Sequence, residues 1–224
     1  MIAAYDKTMS ESVWNARPLD SRAQRSKRIF DIVIGSLLLL MALVPAVVIS
    51  LAIVQDTPGP IFFSQMRIGR GRRRFRLWKF RSMVPGADEL LAKHLAENPQ
   101  YRYEWLTTHK LKEDPRISRV GRLLRRTSLD ELPQLWNVVR GDMSLVGPRP
   151  IVDAEVQKYG EAFDLYAQVA PGLTGLWQVS GRTDTSYLQR TQLDCAYIRG
   201  RTLWTDVKVL YKTVGVVLFR RGAY

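Results

Sequence analysis

One cysteine in 224 residues, Cys195, leaves no partner for an internal disulfide. The chain needs no oxidising compartment, and a lone cysteine reads first as a small buried hydrophobe. Histidine is nearly as scarce, and His94 and His109 stand apart from any ligand-type cluster. Their isolation argues against a zinc site and against a histidine-based triad. Internal repeats and long low-complexity tracts are absent, which excludes a solenoid or an array. Acids are few beside bases: 21 Asp plus Glu against 34 Lys plus Arg, a formal charge of +13. That excess points to an anionic partner, which could be nucleic acid, an acidic membrane surface or a phosphorylated substrate.

Long apolar runs are also rare, and there is one. Ile32 to Val54 carries no charge. As a helix its 23 residues would measure ~35 Å, enough to reach across a bilayer. It starts too late and runs too long for a cleavable signal peptide. Pro45 lies inside it and removes a backbone hydrogen bond, so a bend is expected there. Both flanks are basic. Five Arg or Lys lie from Arg17 to Arg28 and eight from Arg67 to Arg81, with Asp56 the only acid between Ile32 and Val84. Basic flanks favour the cytoplasmic side, so a straight span would put one cluster on the wrong side. A helix that dips in and returns leaves both in the cytoplasm, although Pro also occurs in spanning helices. Residues 1–26 read as a polar lead-in, 27–56 as the membrane element and 57–224 as a cytoplasmic domain with membrane-surface helices.

Within that domain, Ile61–Ile68 and Phe75–Phe80 flank Gly69-Arg70-Gly71 and read as a β-hairpin. Arg72, Arg73, Arg74 and Arg76 are placed to meet lipid phosphates, or to be an ordinary solvated face. Residues 87–112 read as helix interrupted at Asn98-Pro99, residues 151–169 as helix, and the final third as two helices, the last amphipathic. The expected fold is mainly α with a small β-hairpin.

The densest chemistry lies in Ser128-Leu129-Asp130-Glu131-Leu132-Pro133-Gln134-Leu135-Trp136, after Arg122, Arg125 and Arg126. Leu132, Leu135, Trp136 and Val139 fall at helical spacing, and Gly141 is a natural stop. Ser128 with Glu131 matches a capping box, so the acids can be plain helix-start residues. A carboxylate pair amid arginines at a positive helix end also suits chemistry on phosphates. Gly147-Pro148-Arg149-Pro150 is a stiff loop that holds Arg149 with little entropy to lose. Pro171 to Arg182 carries glycines at 172, 175 and 181 that permit close approach of backbone to a ligand, and Arg182 offers a guanidinium fork for a phosphate.

Taken in order, Lys27-Arg28 with the apolar stretch, Pro58-Gly59-Pro60, Lys79-Phe80-Arg81-Ser82-Met83, Asp114-Pro115-Arg116, Arg125 to Gln134, Gly141-Asp142-Met143-Ser144, Gly147 to Pro150 and Pro171 to Arg182 resemble the bacterial sugar transferases. These are the monotopic phosphoglycosyl transferases, and the resemblance covers roughly residues 25–224. The run ending at Arg116 and the Arg-Gly-Ala-Tyr ending at Tyr224 are similar to the exopolysaccharide galactosyl-phosphate transferases of that family. The resemblance implies transfer of a hexose-1-phosphate from a UDP-sugar to undecaprenyl phosphate, with release of UMP. It implies an Asp-Glu dyad on Asp130 and Glu131 and Mg²⁺ held by that dyad. It also implies a re-entrant helix broken at Pro45 and a location on the cytoplasmic face of the bacterial inner membrane, among its phospholipids. Family members often place Ser before that Pro; here it is Val44. Larger members carry additional amino-terminal spans, and this sequence shows one apolar stretch.

The physics of such a site assigns provisional roles. A diphosphate donor must have its charge neutralised before an anion attacks it, a task for Mg²⁺ on hard carboxylate oxygens. Lys79, Arg125, Arg149 and Arg182 are candidates for the remaining phosphate oxygens. Asp130 is the candidate nucleophile, held ionised by the helix start, and Glu131 either the metal ligand or a group that assists the acceptor. Direct attack by the lipid phosphate in a ternary complex keeps the same dyad without a covalent step. A membrane-anchored basic protein is the reading from another class, but no nucleic-acid module appears and nucleic acid is not the expected partner. Downstream glycosyltransferases would take the product. The sugar, galactose or glucose, and the assembly, with a homodimer through the amphipathic regions as one form, stay open.

Overall fold

The structure is a computed structural model that describes residues 21–108, 111–180 and 186–218. Arg17, His109, Gly181, Arg182 and the Arg-Gly-Ala-Tyr run ending at Tyr224, which figure in the readings above, lie outside the described residues. The described part is mainly helical, with one antiparallel hairpin and one short parallel strand pair.

The apolar stretch folds as helix α1 (Ser21–Met41) and helix α2 (Leu43–Asp56), bent by 53°. The break falls at Ala42, three residues before Pro45. Pro45 has no N–H to give Met41 four residues back, and its ring crowds that carbonyl. Bonds from Ala42 to Leu38 (2.9 Å) and from Ala46 to Ala42 (2.8 Å) carry the ladder across the bend. Neither helix alone is long and apolar enough to cross a membrane, but the bent pair together has the length and composition. Its two faces are both apolar. Ile34, Leu39, Ala42, Ala46, Ile49 and Ile53 pack on the domain. Ile29, Val33, Leu37, Leu40, Val44, Val47, Leu51 and Val54 form an exposed stripe along the whole pair, Val44 at 75% exposure.

Strands β1 (Phe62–Ile68) and β2 (Arg74–Phe80) form the expected hairpin, with Phe62 opposite Phe80 and Ile68 opposite Arg74. Its tip leans on the domain: Gly71 N–H donates to Ala167 O, Arg72 pairs with Asp164 and Arg74 with Asp153. Two of the four arginines assigned above to lipid phosphates are thus neutralised by acids of their own domain.

Helices α3 (Ala87–Glu97) and α4 (Pro99–Thr108) are separated at Asn98 as expected, with Pro99 at the first helical position, where its missing donor is harmless. Helix α5 (Arg119–Thr127) is capped by Ser118, whose Oγ accepts from Gly121 N–H. A methyl on Gly121 would stand 2.0 Å from Ser82 O, so only glycine lets α5 lie this close to the chain after β2. A 3₁₀ turn (Leu129–Glu131) and helix α6 (Gln134–Arg140) follow. The expected continuous helix is split, so its buried face runs through Gln134, Leu135, Asn137 and Val138, and Trp136 is exposed. The tighter 3₁₀ turn resets the phase of the apolar positions.

Strand β3 (Ser144–Val146) pairs in parallel with β4 (Gly172–Thr174), a contact not expected from the sequence. The helix expected over 151–169 is only a 3₁₀ turn with two short helices, α7 (Val156–Tyr159) and α8 (Ala162–Tyr166), separated at Gly160. Helices α9 (Leu176–Ser180), α10 (Tyr187–Gly200) and α11 (Leu203–Leu218) complete the described chain. The core gathers Leu77, Leu135, Val138, Leu145, Val146, Ile198 and Val209 between α1, the hairpin, α6 and the last helices. Cys195 is buried there, and burial pushes its thiol up, which fits the inert hydrophobe.

Gly121→Ala should lower stability by about 1–3 kcal/mol through overpacking. Gly200→Ala, with open space around the new methyl, should leave it unchanged within about 0.5 kcal/mol or raise it. Thermal melts of the detergent-purified variants check this, and equal losses in both would contradict the packing at Ser82.

Candidate active site

Asp130 and Glu131 come together with Lys79 through two local devices. The first is the chain reversal at Ser128, which sits at φ 58° between α5 and the 3₁₀ turn and makes no side-chain cap. The expected capping box is therefore not formed, and the acids sit in a turn of three residues rather than in the first turn of a helix. The second device is Asn137. Its side chain accepts from Trp78 N–H at 3.1 Å and donates to Arg76 O at 2.8 Å. It thus bonds the edge of β2 that β1 leaves free and holds that strand against α6.

The hairpin register then decides which side chains face the dyad. Partners across an antiparallel pair share a face, so Lys79, Leu77 and Phe75 stand with Phe63, Gln65 and Arg67. Lys79 Nζ lies 2.6 Å from Glu131 Oε1 and 3.4 Å from Asp130 Oδ2. A narrow cleft is lined by Arg67, Lys79, Glu131, Gln134, Arg149 and Gln178. Three cations thus converge on the cleft beside Glu131, and Asp130 is not among the cleft residues.

Asp130 is buried, at 7% exposure. Burial raises its carboxyl above the ordinary range; Lys79 opposes this, the Glu131 charge adds to it and Arg125 opposes it again. The helix start expected to keep Asp130 ionised is not there. That task falls to Lys79 and, behind it, to Arg125, whose Nε donates to Ser82 Oγ at 2.8 Å. Arg125 is not among the cleft residues. Arg149, fixed between Pro148 and Pro150, lies over one side of the Trp177 ring at 6.0 Å, and Arg190 over the same ring at 4.2 Å.

Arg67 was missed in the sequence. Its guanidinium is mostly buried, donates to Pro150 O at 3.2 Å and lies 3.7 Å from Glu155. Alternation along the hairpin is the signal that could have found it, once Ile68 is set opposite Arg74. Gly172 and Gly175 also meet the backbone of their own chain. A methyl on Gly172 would lie 2.1 Å from Gly147 N, and one on Gly175 2.3 Å from Gly147 O. The close approach at Gly172 and Gly175 is to Gly147 of the 147–150 loop, and Gly172 also lines the cleft.

Among the described residues no three carboxylate, histidine or cysteine side chains gather around one point. The donor set at the dyad is two carboxylates. Mg²⁺ commonly takes one or two carboxylates and completes its shell with waters and substrate phosphates, so this set fits it.

The site also touches the apolar element. Leu129 and Leu132, on either side of the dyad, pack in the cluster of Ile49, Ile53, Phe80 and Leu124, which joins α2 to α5. The packed face of the bent pair therefore reaches the segment that carries the two carboxylates.

The model of one family, bacterial sugar transferase, matches residues 22–220. Among curated relatives, a UDP-galactose-lipid carrier transferase of Erwinia amylovora is 51% identical over 198 residues, which are 88% of this chain and 41% of the relative. An undecaprenyl-phosphate galactose phosphotransferase of Salmonella typhimurium is 47% identical over 219 residues, 96% of this chain and 46% of the relative. The exopolysaccharide production protein ExoY of Sinorhizobium fredii is 44% identical over 200 residues, 89% of this chain and 88% of the relative. The chain thus spans less than half the length of the first two and most of the third.

Linkage turns the raised Asp130 carboxyl into a test. Its contribution to stability is present below the ordinary carboxylate value and is lost as pH rises through the raised one. Asp130→Asn should therefore be more stable than the parent at pH 7, with the gap closing as pH falls toward 4. Melts across that range check the sign, and a variant less stable than the parent at pH 7 would contradict it.

Proposed function

Because the chain belongs to the bacterial sugar transferase family, we propose that it transfers a hexose-1-phosphate from a UDP-sugar to undecaprenyl phosphate at the cytoplasmic face of a bacterial membrane. The observation that carries this reading is the buried Asp130, ion-paired through Lys79 with Glu131, where Lys79 and Glu131 line a cleft together with Arg67 and Arg149. The names of the relatives support the reaction type, and the ExoY relative supports a place in exopolysaccharide production. Galactose is the favoured sugar, since both of the longer relatives carry it in their names.

In this reading Asp130 attacks the sugar-linked phosphorus of the donor. A phosphorus–carboxylate oxygen bond forms, the diphosphate bridge breaks, and UMP leaves with the bridging oxygen. An oxygen of undecaprenyl phosphate then attacks the same phosphorus and returns the carboxylate of Asp130, giving the lipid diphosphate sugar. Splitting the transfer lets one substrate arrive from water and the other from the bilayer. Lys79 and Arg125 hold Asp130 in the charged, attacking form against the cost of its burial. Arg149 and Arg67 bind the donor phosphates, a task suited to rigid guanidinium forks. Arg182 is proposed for the same role. Glu131 and Asp130 would hold Mg²⁺, which would offset the negative charge of the diphosphate. The bent helix pair dips into the membrane at Ala42–Pro45 and returns, and its inner face seats the domain at head-group level.

UMP release by the detergent-purified protein tests this, with Mg²⁺, UDP-galactose or UDP-glucose, and with or without undecaprenyl phosphate. Wild type should turn over with lipid, and Asp130→Asn, though folded, should lose transfer by a factor on the order of 10³ or more. A stoichiometric burst of UMP without lipid establishes the covalent step, whereas no burst leaves direct attack by the lipid phosphate. Turnover of the variant near wild type would sink the nucleophile.

A further inference from the structure

A second cavity, of about 570 Å³, lies at the other end of the hairpin from the dyad. Arg74 and Lys79 alone are five residues apart on β2, roughly 17 Å at ~3.3 Å per residue. Arg70, on the cavity wall, lies beyond Arg74 at the hairpin tip. The wall is built from the first turns of α1, the hairpin tip, β3, the chain before β4 and the start of α11. Its floor is apolar, with Met143, Val146, Val169 and Ala170, and Leu203 and Trp204 stand at its side.

The charges on that wall do not balance. Its two acids are spent. Asp31 accepts from Leu145 N–H at 3.1 Å and pairs with Lys27, and Asp206 takes Lys27 at 2.9 Å and the Tyr197 hydroxyl at 2.7 Å. Arg28 is also spent, with both guanidinium nitrogens at 2.6 Å from the carbonyls of Val138 and Val139. Arg70 and Arg201 remain. Among the described residues neither has a carboxylate within ion-pair distance, and Arg70 has only the side-chain oxygen of Gln24, at 2.8 Å. Arg201 is half-buried, and burial draws its guanidinium down; Tyr197 and Asp206 oppose this and the nearby Arg70 charge adds to it. Among the described residues the cavity wall thus carries four basic side chains against two acids that are taken up by Lys27 and by neighbouring donors, which leaves a net positive field there.

Two exposed apolar stripes set out from the same place. One is that of α1, from Ile29 through Val33 and Leu37. The other follows α11 through Trp204, Val207, Tyr211 and Val214, at spacings of three and four residues, with Asp206 and Val209 buried on the far side. A tryptophan at the mouth of a charged cavity, beside apolar stripes, suits the boundary between head groups and hydrocarbon.

We propose that this cavity binds the phosphate of an anionic amphiphile drawn from the membrane, with Arg70 and Arg201 on the phosphate and the tail lying out past Trp204. The apolar floor and the stripes argue for a lipid rather than for a free phosphate. The phosphate can belong to a phospholipid head group or to a polyprenyl phosphate. The site is separate from the dyad and does not depend on the reaction proposed above.

Equilibrium binding to the full-length, delipidated protein in detergent tests it with three probes: dioctanoyl phosphatidylglycerol, farnesyl phosphate and inorganic phosphate. Two variants are compared with wild type. The double variant Arg70→Gln/Arg201→Gln removes the charges. Ala170→Phe fills the cavity and leaves every charge in place, so it keeps the test open if the double variant folds poorly. At least one amphiphile should bind at least tenfold more weakly to Ala170→Phe and to the folded double variant than to wild type. The probe that responds names the source. Affinities for both amphiphiles unchanged in Ala170→Phe would overturn the proposal, as would inorganic phosphate binding wild type as tightly as the amphiphiles do.

Discussion

The ammonium of Lys79 between two carboxylates is the contact on which the candidate site depends. Asp130 is too buried to hold a charge unaided, and the Glu131 charge beside it makes ionisation harder. A surface ion pair contributes at most about 1 kcal/mol, whereas an uncompensated buried charge costs ~3–5 kcal/mol. Lys79 stands between these limits, at 26% side-chain exposure beside 10% for Asp130. Its main effect is on the charge state of the carboxylate rather than on the stability of the fold. The cation is in place because Asn137 fastens β2 to α6 from the strand's free edge. If that clamp slipped by one residue, Lys79 would turn to the opposite face of the hairpin.

The same economy joins the domain to its apolar element. Arg28 on α1 caps the last carbonyls of α6, where a cation also meets the negative end of the helix. Lys27, one residue earlier, neutralises Asp31 of its own helix and Asp206 of α11. These basic residues look, in the sequence, like a topology signal beside a membrane segment. In the fold they tie the start of that segment to the domain. The bend at Ala42 then turns α2 so that Ile49 and Ile53 reach the cluster under the dyad. A straight helix would leave one end of the pair without that contact.

Much of this was legible in one dimension. Two short runs around Gly69-Arg70-Gly71 marked the hairpin, Asn98-Pro99 marked a helix break, and Pro45 in a charge-free run marked the bend. Two adjacent acids after a basic run marked the dyad. What stayed hidden shares one cause: it depends on which segments meet. The reversal at Ser128 needs a left-handed residue that a serine does not advertise. The parallel pair of β3 and β4 joins residues 28 apart in the chain, Ser144 with Gly172, and each strand is too short to show a period. That Gly172 and Gly175 close on Gly147 was hidden as well, because a glycine shows that something approaches and not what approaches.

By itself the sequence determined the family, the carboxylate pair, the single apolar element and the surplus of positive charge, because each is a matter of composition or of neighbours in the chain. The tertiary structure alone decided that Asp130 is buried and its carboxyl raised, that Arg67 lines the cleft with Glu131 while Arg125 does not, and that Arg70 and Arg201 share a cavity whose two acids are taken up by Lys27. Burial, register and the pairing of distant charges depend on separations in space, and those follow from how helices and strands pack, not from their order.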